Sequence, residues 1–472
     1  MGASMTRTYD VVIVGGGPAG IFTALELAQL SNLSILILEK GQALEKRCCP
    51  SIDSHRDCVP CSLCSMVSGW GGAGAFSDGK LTLSPEVGGR LVSYQGLQNT
   101  QDLISYVDQC YLMFGAPQNI YGVGPRVEEF TQKAKRAGLN LIPVPVRHLG
   151  TERCYEVLQY MQHFLAGRVE MQTGVAVESI TVRNGRVRGV KTQDGQSIRA
   201  GYVVVAPGRE GSDWLVKEAF RLGLTKHNNP VDIGVRVEIP QAVLADLTDV
   251  LYECKLEFYS RTFKDRIRTF CMCPAGEVTM ESTGGPDPVT TVNGHSYANR
   301  KTDKTNFALL GSATFAEPFN DPITYGRSVA RLANLLGGGV ILQRLGDLRK
   351  GRSSTPANMG RWKVQPTLKN ATPGDISAAL PYRFLKGINE MLTAMDKLAP
   401  GVASPDTLLY GIEVKFYSSR LQLTQNLETE VPNLFAIGDG AGVSRGLVQA
   451  SASGVVAARE ILKRIGEGTP SL

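Results

Sequence analysis

The chain has 472 residues, of which 43% are hydrophobic and 20% are charged, the composition of an ordinary globular protein. Its net charge of +6 is small for this length. The sequence contains no basic run with interleaved aromatic residues and no acidic tail, so the charge pattern argues against a nucleic-acid partner. A chain of this length can form roughly two or three cores, which favours a discontinuous domain with a second domain inserted into it.

Residues 11–30 form the one stretch that resembles a signal peptide or a membrane span. Glycines crowd its centre, Glu26 lies inside it and no small-residue cleavage site follows. A strand, a turn and a helix explain it better, so the sequence predicts no integral membrane segment. The ten cysteines, without a recognisable export signal, favour a reducing compartment, and we expect a cytoplasmic protein.

The first predicted strand, residues 9–14, is a β-branched run that ends at a glycine. The sequence Gly15-Gly16-Gly17-Pro18-Ala19-Gly20 follows and fits the dinucleotide-binding pattern G-x-G-x-x-G. The first glycine permits the tight turn, the second lets the backbone approach a pyrophosphate, and the third lets helix 18–30 pack close to the strand. The predicted nucleotide-binding residues of this turn are Gly15, Gly17, Pro18, Ala19 and Gly20.

A second apolar strand, residues 34–38, ends at Glu39, nineteen residues after Gly20. This spacing places a carboxylate where it can accept hydrogen bonds from a ribose diol. An acid at position 39 argues against a 2′-phosphate but does not distinguish NAD from FAD. We assign Glu39 and the adjacent Lys40 to the nucleotide site.

Three later segments complete a nucleotide-binding domain. Residues 175–190 predict two short strands joined by an Asn-Gly turn, and residues 201–209 predict a buried strand that ends at a glycine. Residues 433–442 predict another apolar strand, which ends in Gly-Asp. A helix of small residues follows, from residue 446 to about residue 465.

Together these segments resemble the glutathione-reductase-like superfamily of flavoproteins with two dinucleotide-binding folds. The resemblance implies that the first motif holds the ADP half of FAD, that Asp439 binds the ribityl and phosphate groups, and that the C-terminal helix points its N-terminus at the flavin ring. It implies an α/β fold: a Rossmann-type FAD/NAD(P)-binding domain, with a central parallel sheet and a small antiparallel sheet, and an inserted α+β substrate or cap domain. The further cofactor contacts that it implies are Val177, Ala206, Gly208, Gly438, Leu447 and Val448.

A narrower resemblance rests on residues 69–80, 231–238 and 270–274, which are similar to the poorly characterised bacterial FAD-dependent dehydrogenases. That group implies a cofactor and a fold but no substrate. Disulfide reductases of the superfamily carry a second G-x-G-x-x-G for NADPH, and this chain has none in mid-sequence. NAD(P)H is therefore expected, at most, as a transient co-substrate.

The glycine-rich run of residues 69–79 lies where the superfamily wraps its chain under the isoalloxazine ring. Its glycines would let the main chain lie against the ring and the pyrophosphate. Lys80 could stabilise negative charge on the reduced ring, and His148, which precedes a turn into a helix, could lie near the flavin, although a lone histidine is more often structural. The assigned cofactor contacts here are Gly71, Gly72, Ala73 and Ser77. The assigned catalytic residues are Asp78, Lys80 and His148.

Five cysteines precede this run: Cys48, Cys49, Cys58, Cys61 and Cys64. Two-residue gaps and a Cys-Pro are the elements of a [4Fe–4S] site, although here the Cys-Pro precedes the triplet, and zinc would accept the same thiolates. The remaining interpretations are a redox dithiol that exchanges electrons with the flavin, and thiols without chemistry. The candidate metal ligands are Cys49, Cys58, Cys61 and Cys64.

The expected activity is hydride transfer between a small organic substrate and flavin N5, with an unidentified electron donor or acceptor. The alternatives are a flavin monooxygenase and a non-catalytic electron-transfer or redox-sensing flavoprotein built on the cysteines of residues 48–64. In the inserted domain, Arg236 could pair with Glu238 or with an anionic substrate. The predicted boundaries are residues 1–89, 166–215 and 411–472 for the FAD-binding domain, and residues 90–165 and 216–410 for the inserted domain.

If the cysteines ligate a cluster, anaerobically prepared protein should contain about four iron and four sulfide atoms per chain. Cys61→Ser should remove the iron and leave FAD bound, because a hydroxyl replaces a thiolate poorly. Elemental analysis checks this: zinc would give one colourless metal atom, and a dithiol would give two extra electrons in a reductive titration. Metal-free protein that titrates as flavin alone would contradict both the metal and the dithiol interpretations.

Overall fold

The computed structural model describes residues 7–49, 61–282, 288–296, 301–313, 315, 321–416 and 419–466. The chain divides into two compact units. The first comprises residues 1–119, 147–229 and 418–472, and the second comprises residues 120–146 and 230–417. Among the described residues, no helix has both the length and the apolar character that crossing a membrane would require.

The described strands, in chain order, are β1 (Thr8–Val14), β2 (Ile35–Glu39), β3 (Lys80–Thr82), β4 (Asn140–Ile142), β5 (Val146–His148), β6 (Glu170–Thr173), β7 (Val177–Arg183), β8 (Arg186–Thr192), β9 (Ser197–Val205), β10 (Lys226–His227), β11 (Val231–Pro240), β12 (Lys255–Tyr259), β13 (Arg266–Cys273), β14 (Glu277–Ser282), β15 (Thr290–His295), β16 (Lys304–Ala313), β17 (Ile341–Arg344), β18 (Thr372–Pro373), β19 (Leu408–Lys415), β20 (Arg420–Leu421) and β21 (Leu434–Ala436). The described α-helices are α1 (Pro18–Leu30), α2 (Val92–Gln95), α3 (Leu97–Met113), α4 (Pro125–Arg136), α5 (Thr151–Leu165), α6 (Ser212–Leu222), α7 (Ala245–Leu251), α8 (Pro322–Gly337), α9 (Leu345–Arg349), α10 (Pro356–Met359), α11 (Tyr382–Leu398) and α12 (Leu447–Ile465).

The main sheet of the first unit has the order β6-β2-β1-β9-β8-β7, and β21 also pairs with β9. Strands β6, β2, β1, β9 and β21 run parallel, whereas β8 is antiparallel to both of its neighbours, β7 and β9. All five residues of β2 are buried, as expected of a parallel strand that is covered on both faces. The predicted fold class is confirmed: a Rossmann-type sheet with a small antiparallel sheet, and an additional α+β domain.

Strand β9 brings the two ends of the chain into one sheet. Its residues 197–199 pair with β8, and its residues 203–205 pair with β21. The opposite edge of β9 pairs with β1 over most of its length. The short C-terminal strand therefore completes a sheet that begins at the N-terminus.

Helices α1 and α12 pack so closely that their backbones touch. A Cβ atom added at Gly454 of α12 would overlap the carbonyl oxygen of Ala19 and lie 2.9 Å from the backbone nitrogen of Thr23. The Thr23 hydroxyl donates to the carbonyl of Ala19 at 2.9 Å, within α1, and lies 3.3 Å from the carbonyl of Gly454. The small-residue character of the C-terminal helix is thus explained by this contact.

The two units differ from the predicted domain boundaries. Residues 90–119, 147–165 and 216–229, which the sequence assigned to the inserted domain, belong to the first unit, and residues 411–417, which it assigned to the FAD-binding domain, belong to the second. The reason is packing: Leu103 of α3 and Val157 of α5 lie in the same hydrophobic core as β1. The apolar stripe of a helix predicts that one face is buried, but it does not say which sheet covers that face.

The second unit is built on a sheet of order β18-β17-β19-β11-β16-β13-β12-β4. Alternate residues of β11, such as Val235 and Val237, face a core that also contains residues of α4, α7, α8 and α11. Arg236 and Glu238 point to the other face because side chains alternate along a strand. That polar face lies against the β14–β15 hairpin, since a Cβ at Gly294 would overlap the Arg236 guanidinium.

Gly454→Ala should destabilise the first unit by about 1–3 kcal/mol, the usual cost of overpacking, because the added methyl must separate α12 from α1. Chemical denaturation followed by circular dichroism measures the effect. Gly360→Ala is the matched control, since a Cβ there meets no atom within 4 Å. Equal midpoints for the two variants would show that the two helices can separate without cost.

Candidate active site

The turn between β1 and α1 leaves no room for side chains. Gly15 has a φ of +113°, and a Cβ there would overlap the carbonyl oxygen of Ala206 at the end of β9. A Cβ at Gly20 would overlap the carbonyl oxygen of Gly15. The first and third glycines of the motif therefore have the steric roles that the sequence predicted for them.

The N-terminus of α1 has no side-chain cap. Gly17 is its N-cap residue, Pro18 is at its first position, and no side chain forms a capping hydrogen bond. The first turn carries no acidic residue. A helix start of this kind offers backbone N–H groups and the positive end of the helix dipole to an anion.

The Glu39 carboxylate, 7% exposed, is held by the main chain of three segments. Its Oε1 accepts hydrogen bonds from the backbone N–H groups of Gly41 at 2.8 Å and Gly69 at 3.0 Å, and its Oε2 accepts one from Gly16 at 2.7 Å. A carboxylate oxygen can accept two hydrogen bonds, so one acceptor position remains on Oε2. The predicted ribose contact would use that position.

The glycine-rich run lies directly on the dinucleotide turn. Gly71 donates its backbone N–H to the carbonyl of Gly16 at 2.8 Å, and a Cβ at Gly72 would lie 3.1 Å from the Cα of Gly17. Residues Gly72–Phe76, which include Ala73, form a 3₁₀ turn that reaches the start of α12, since a Cβ at Gly74 would lie 2.8 Å from the Leu447 side chain. The structure thus brings together the dinucleotide turn, the glycine-rich run and the start of α12.

Arg47 holds this run in place, and sequence reasoning missed it. Its guanidinium is buried and donates to the carbonyls of Ser65, Met66 and Trp70 at 2.5–3.2 Å. It also lies over the Phe76 ring, 4.8 Å from the centroid. Burial lowers the pKa of Arg47 to about 10, so the group is still charged at neutral pH. A single arginine in a polar segment has no sequence signature that would have identified this role.

Gly438, two residues after β21, has a φ of +74°. It lies beside α1, since a Cβ added at Gly438 would be 3.0 Å from the Cβ of Ala19. The side chain of Asp439 accepts from Arg209 at 2.9 and 3.2 Å. Sequence reasoning missed Arg209 as a site residue, although it directly follows Gly208. The predicted ribityl contact of Asp439 stays a prediction.

The remaining predicted cofactor contacts lie around the same sheet end. Ala206 directly follows β9, Val177 begins β7 and is buried, and Val448 is buried in the first turn of α12. Lys40 forms an ion pair with Glu210, and burial lowers its pKa.

The three predicted catalytic residues meet in one cluster. His148 Nε2 bonds to one carboxylate oxygen of Asp78, and Lys80 Nζ lies 3.3 Å from the other. Backbone bonds from Leu149 to Gly79 at 3.0 Å and from Gly150 to Asp78 at 3.1 Å join the two segments. Burial acts to raise the pKa of Asp78, but the His148 bond and the Lys80 charge outweigh it, so the pKa lies well below its usual range.

Cys154 is buried beside this cluster. A Cβ at Gly79 would overlap its sulfur. Burial, reinforced by the negative charge of Asp78, raises the pKa of Cys154 to about 12. The thiol is therefore protonated at neutral pH, which disfavours a nucleophilic role.

The proposed metal site is only partly described. Cys58 lies outside the described residues, whereas Cys49 and Cys64 are half-buried and Cys61 is exposed. Within the described ranges, no group of three or more potential ligands is arranged to hold a metal ion. The metal assignment stays a prediction.

In the second unit, Arg236 pairs with Glu413 and not with Glu238. Its guanidinium is fully buried and donates to both carboxylate oxygens of Glu413, at 2.9 and 3.0 Å, and to Asn306 at 2.8 Å. Glu238 accepts instead from the hydroxyl groups of Tyr410 and Thr367. The predicted Glu238 pairing is wrong because the true partner comes from β19, far away in the sequence.

The residues of the first unit fit FAD. A cradle without side chains, an uncapped helix start and a spare acceptor on Glu39 are the features that a diphosphate and a ribose require. The backbones of residues 15–20 and 71–72 contact each other without intervening charged side chains, so main-chain groups there remain available to the cofactor.

Comparison with known proteins agrees with this geometry. A family model described as "FAD binding domain" matches residues 10–47, which contain the glycine turn and Glu39. A second family model, "FAD-dependent protein, C-terminal domain-like", matches residues 230–416 of the second unit. No curated protein sequence matches the chain.

Several solved flavoenzyme structures align with the chain. Quinol fumarate reductase of E. coli is 15% identical with a TM-score of 0.41, covering 99% of this chain and 72% of that one. L-proline dehydrogenase from P. horikoshii is 12% identical with a TM-score of 0.42, covering 98% and 95%. Glycine oxidase from Geobacillus kaustophilus is 13% identical with a TM-score of 0.39, covering 99% and 97%. Scores of this size carry no argument about the substrate.

Glu39→Gln should weaken FAD binding at least tenfold and destabilise the protein by about 1–3 kcal/mol. The reason is that an amide nitrogen cannot accept from backbone N–H groups, so at least one buried donor loses its partner. Titration of the FAD-free protein by fluorescence quenching, together with denaturation, measures both effects. Glu178→Gln, at an exposed position of β7, is the control. A stability loss with unchanged FAD affinity would show that Glu39 is structural and has no ribose contact.

The glycine turn, the buried acid at the end of β2 and the two matched FAD-related families lead to one conclusion. The chain contains an FAD-binding domain, and its cofactor is FAD.

Proposed function

We propose that this FAD-binding protein is an oxidoreductase, a dehydrogenase or reductase that transfers hydride between a small organic substrate and N5 of FAD. When bound, FAD supplies the ring that accepts or returns the hydride. The single observation that carries the proposal is the contact of Gly71 and Gly72 with Gly16 and Gly17 of the dinucleotide turn. Gly16 and Gly17 lie inside the matched FAD binding domain.

In this proposal the first unit holds the cofactor. The turn of residues 15–20 and the start of α1 bind the diphosphate, and Glu39 binds the ribose. Asp439 and the main chain of residues 71–73 serve the ribityl and ring portions. The second unit supplies the substrate or cap domain, and the electron donor or acceptor is a separate molecule, with NAD(P)H as a transient candidate. The ten cysteines favour a cytoplasmic location.

The His148–Asp78–Lys80 cluster serves as the acid–base group. The Asp78 carboxylate accepts a hydrogen bond from the His148 Nε2–H group, which fixes the orientation and the tautomer of the ring. Since the pKa of Asp78 lies well below its usual range, the carboxylate stays ionised over the whole neutral range. Lys80, 3.3 Å from Asp78, adds positive charge to the same cluster. His148 can thus take a proton from a substrate that loses hydride.

The visible spectrum of the purified protein tests the cofactor, and anaerobic mixing with a panel of small organic donors tests the reaction. Donors that bleach the flavin without oxygen support a dehydrogenase. Flavin reduction only by NAD(P)H, followed by oxygen insertion into an added substrate, would support a monooxygenase instead and contradict the proposal.

His148→Gln should lower the rate of flavin reduction by about 10²–10⁴-fold, the usual contribution of a positioned acid–base group. Asp78→Asn should lower it as well, because the imidazolium loses its anionic partner. Stopped-flow measurement with the donor that reduces the parent protein gives both rates, and flavin absorbance confirms equal FAD content. His163→Gln, on the exposed side of α5, is the control. Parent-like rates in both variants would assign the cluster a structural role.

A further inference from the structure

Three arginines of the first unit meet beside the start of α12. The backbone N–H of Arg90 donates to the carbonyl of Val443 at 2.8 Å, and the N–H of Arg445 donates to the carbonyl of Gly88 at 2.7 Å. These bonds hold the two segments side by side, with Gly89 paired to Ser444. We call Arg90, Arg420 and Arg445 the arginine cluster.

Arg420 reaches the cluster through a tight turn. Gly442 has a φ of +74°, and a Cβ there would lie only 3.0 Å from the Cα of Arg420. Strand β20, which begins at Arg420, pairs with β10 and holds this backbone in register. Arg90 and Arg420 therefore come from positions 330 residues apart and are fixed by the same loop of residues 442–445.

The cluster brings three positive charges together at half-buried positions. Arg90, Arg420 and Arg445 are half-buried, and in the described part of the chain neither Arg90 nor Arg420 forms an ion pair. Burial, and then the charges of Arg420 and Arg445, lower the pKa of Arg90. Half-buried like charges that repel one another are stabilised when an anion binds between them.

Ser444 adds a second, independent sign of a ligand. Its side chain is 1% exposed, and its hydroxyl has no hydrogen-bond partner among the described residues. Buried hydroxyl groups almost always have a partner, and one that lacks it indicates a missing polar group. It directly precedes Arg445, within the loop that joins the arginine cluster.

We propose that Arg90 and Arg420, with Arg445 and Ser444, bind the carboxylate of the substrate. This assignment rests on the proposed function, since the resemblance places the start of α12 at the flavin ring. The α12 N-terminus, capped by Gly446 without a side-chain hydrogen bond, adds its dipole to the same locus. The planar guanidinium groups suit a carboxylate because they can bind it with two parallel hydrogen bonds. The substrate class is therefore small organic acids.

The test is calorimetric titration of the FAD-loaded protein at constant ionic strength with three probes: succinate, its neutral analogue succinamide, and sulfate. We expect saturable succinate binding, with at least tenfold weaker binding of the other two. Arg90→Gln and Arg420→Gln should each raise the succinate dissociation constant tenfold or more, and Arg420→Lys should recover part of the loss. Arg199→Gln, on an exposed part of β9, is the matched control and should bind succinate normally.

Each contrary outcome has a distinct meaning. No succinate binding to FAD-loaded protein, parent-like binding in both glutamine variants, or equal binding of sulfate would overturn the carboxylate site. Loss of FAD from Arg90→Gln or Arg420→Gln would overturn it as well, because the arginines would then hold the cofactor. Absence of flavin absorbance in the parent protein would contradict the proposed function, and that measurement is independent of the titration.

Discussion

The first unit depends on the close approach of backbone to backbone around the turn of residues 15–20. Ala206 of β9, Gly72 of the glycine-rich run and Gly454 of α12 each approach this turn or the start of α1 so closely that a side chain would separate them. Packing of this density allows few adjustments. The same absence of side chains leaves the main-chain N–H groups accessible, so the constraint that closes the fold also prepares the anion site.

Two buried charged groups fix the glycine-rich run on that turn. Glu39 accepts three backbone hydrogen bonds, and Arg47 donates to three carbonyl groups of residues 65–70. A buried charge is tolerated only when such bonds satisfy it, so each group selects one arrangement of the chain. The cluster of Asp78, Lys80 and His148 begins at the C-terminal end of this run, so its position depends on the run.

The second unit must satisfy buried charges, because its sheet carries charged residues on a face that is also buried. Arg236 and Glu413 neutralise each other with no exposed surface, and Glu238 is held by Tyr410. Arg236 and Glu238 lie two residues apart on one strand and face the same side, yet each is bonded to a residue of β19. Partners across the sheet, and not along the strand, balance these charges.

The sequence by itself determined the local features: the glycine turn, the acid after the second strand, the Asn-Gly hairpin and the Gly-Asp strand end. These features depend on short-range periodicity and on backbone conformations that glycine permits, so they can be read along the chain. They were sufficient for the fold class and the cofactor. Only the tertiary structure decided which core covers helices α3 and α5, and which partners Arg47, Arg209 and Arg90 have. The reason is that such contacts join residues far apart in sequence, and a long side chain carries no local signal of the group that it will meet.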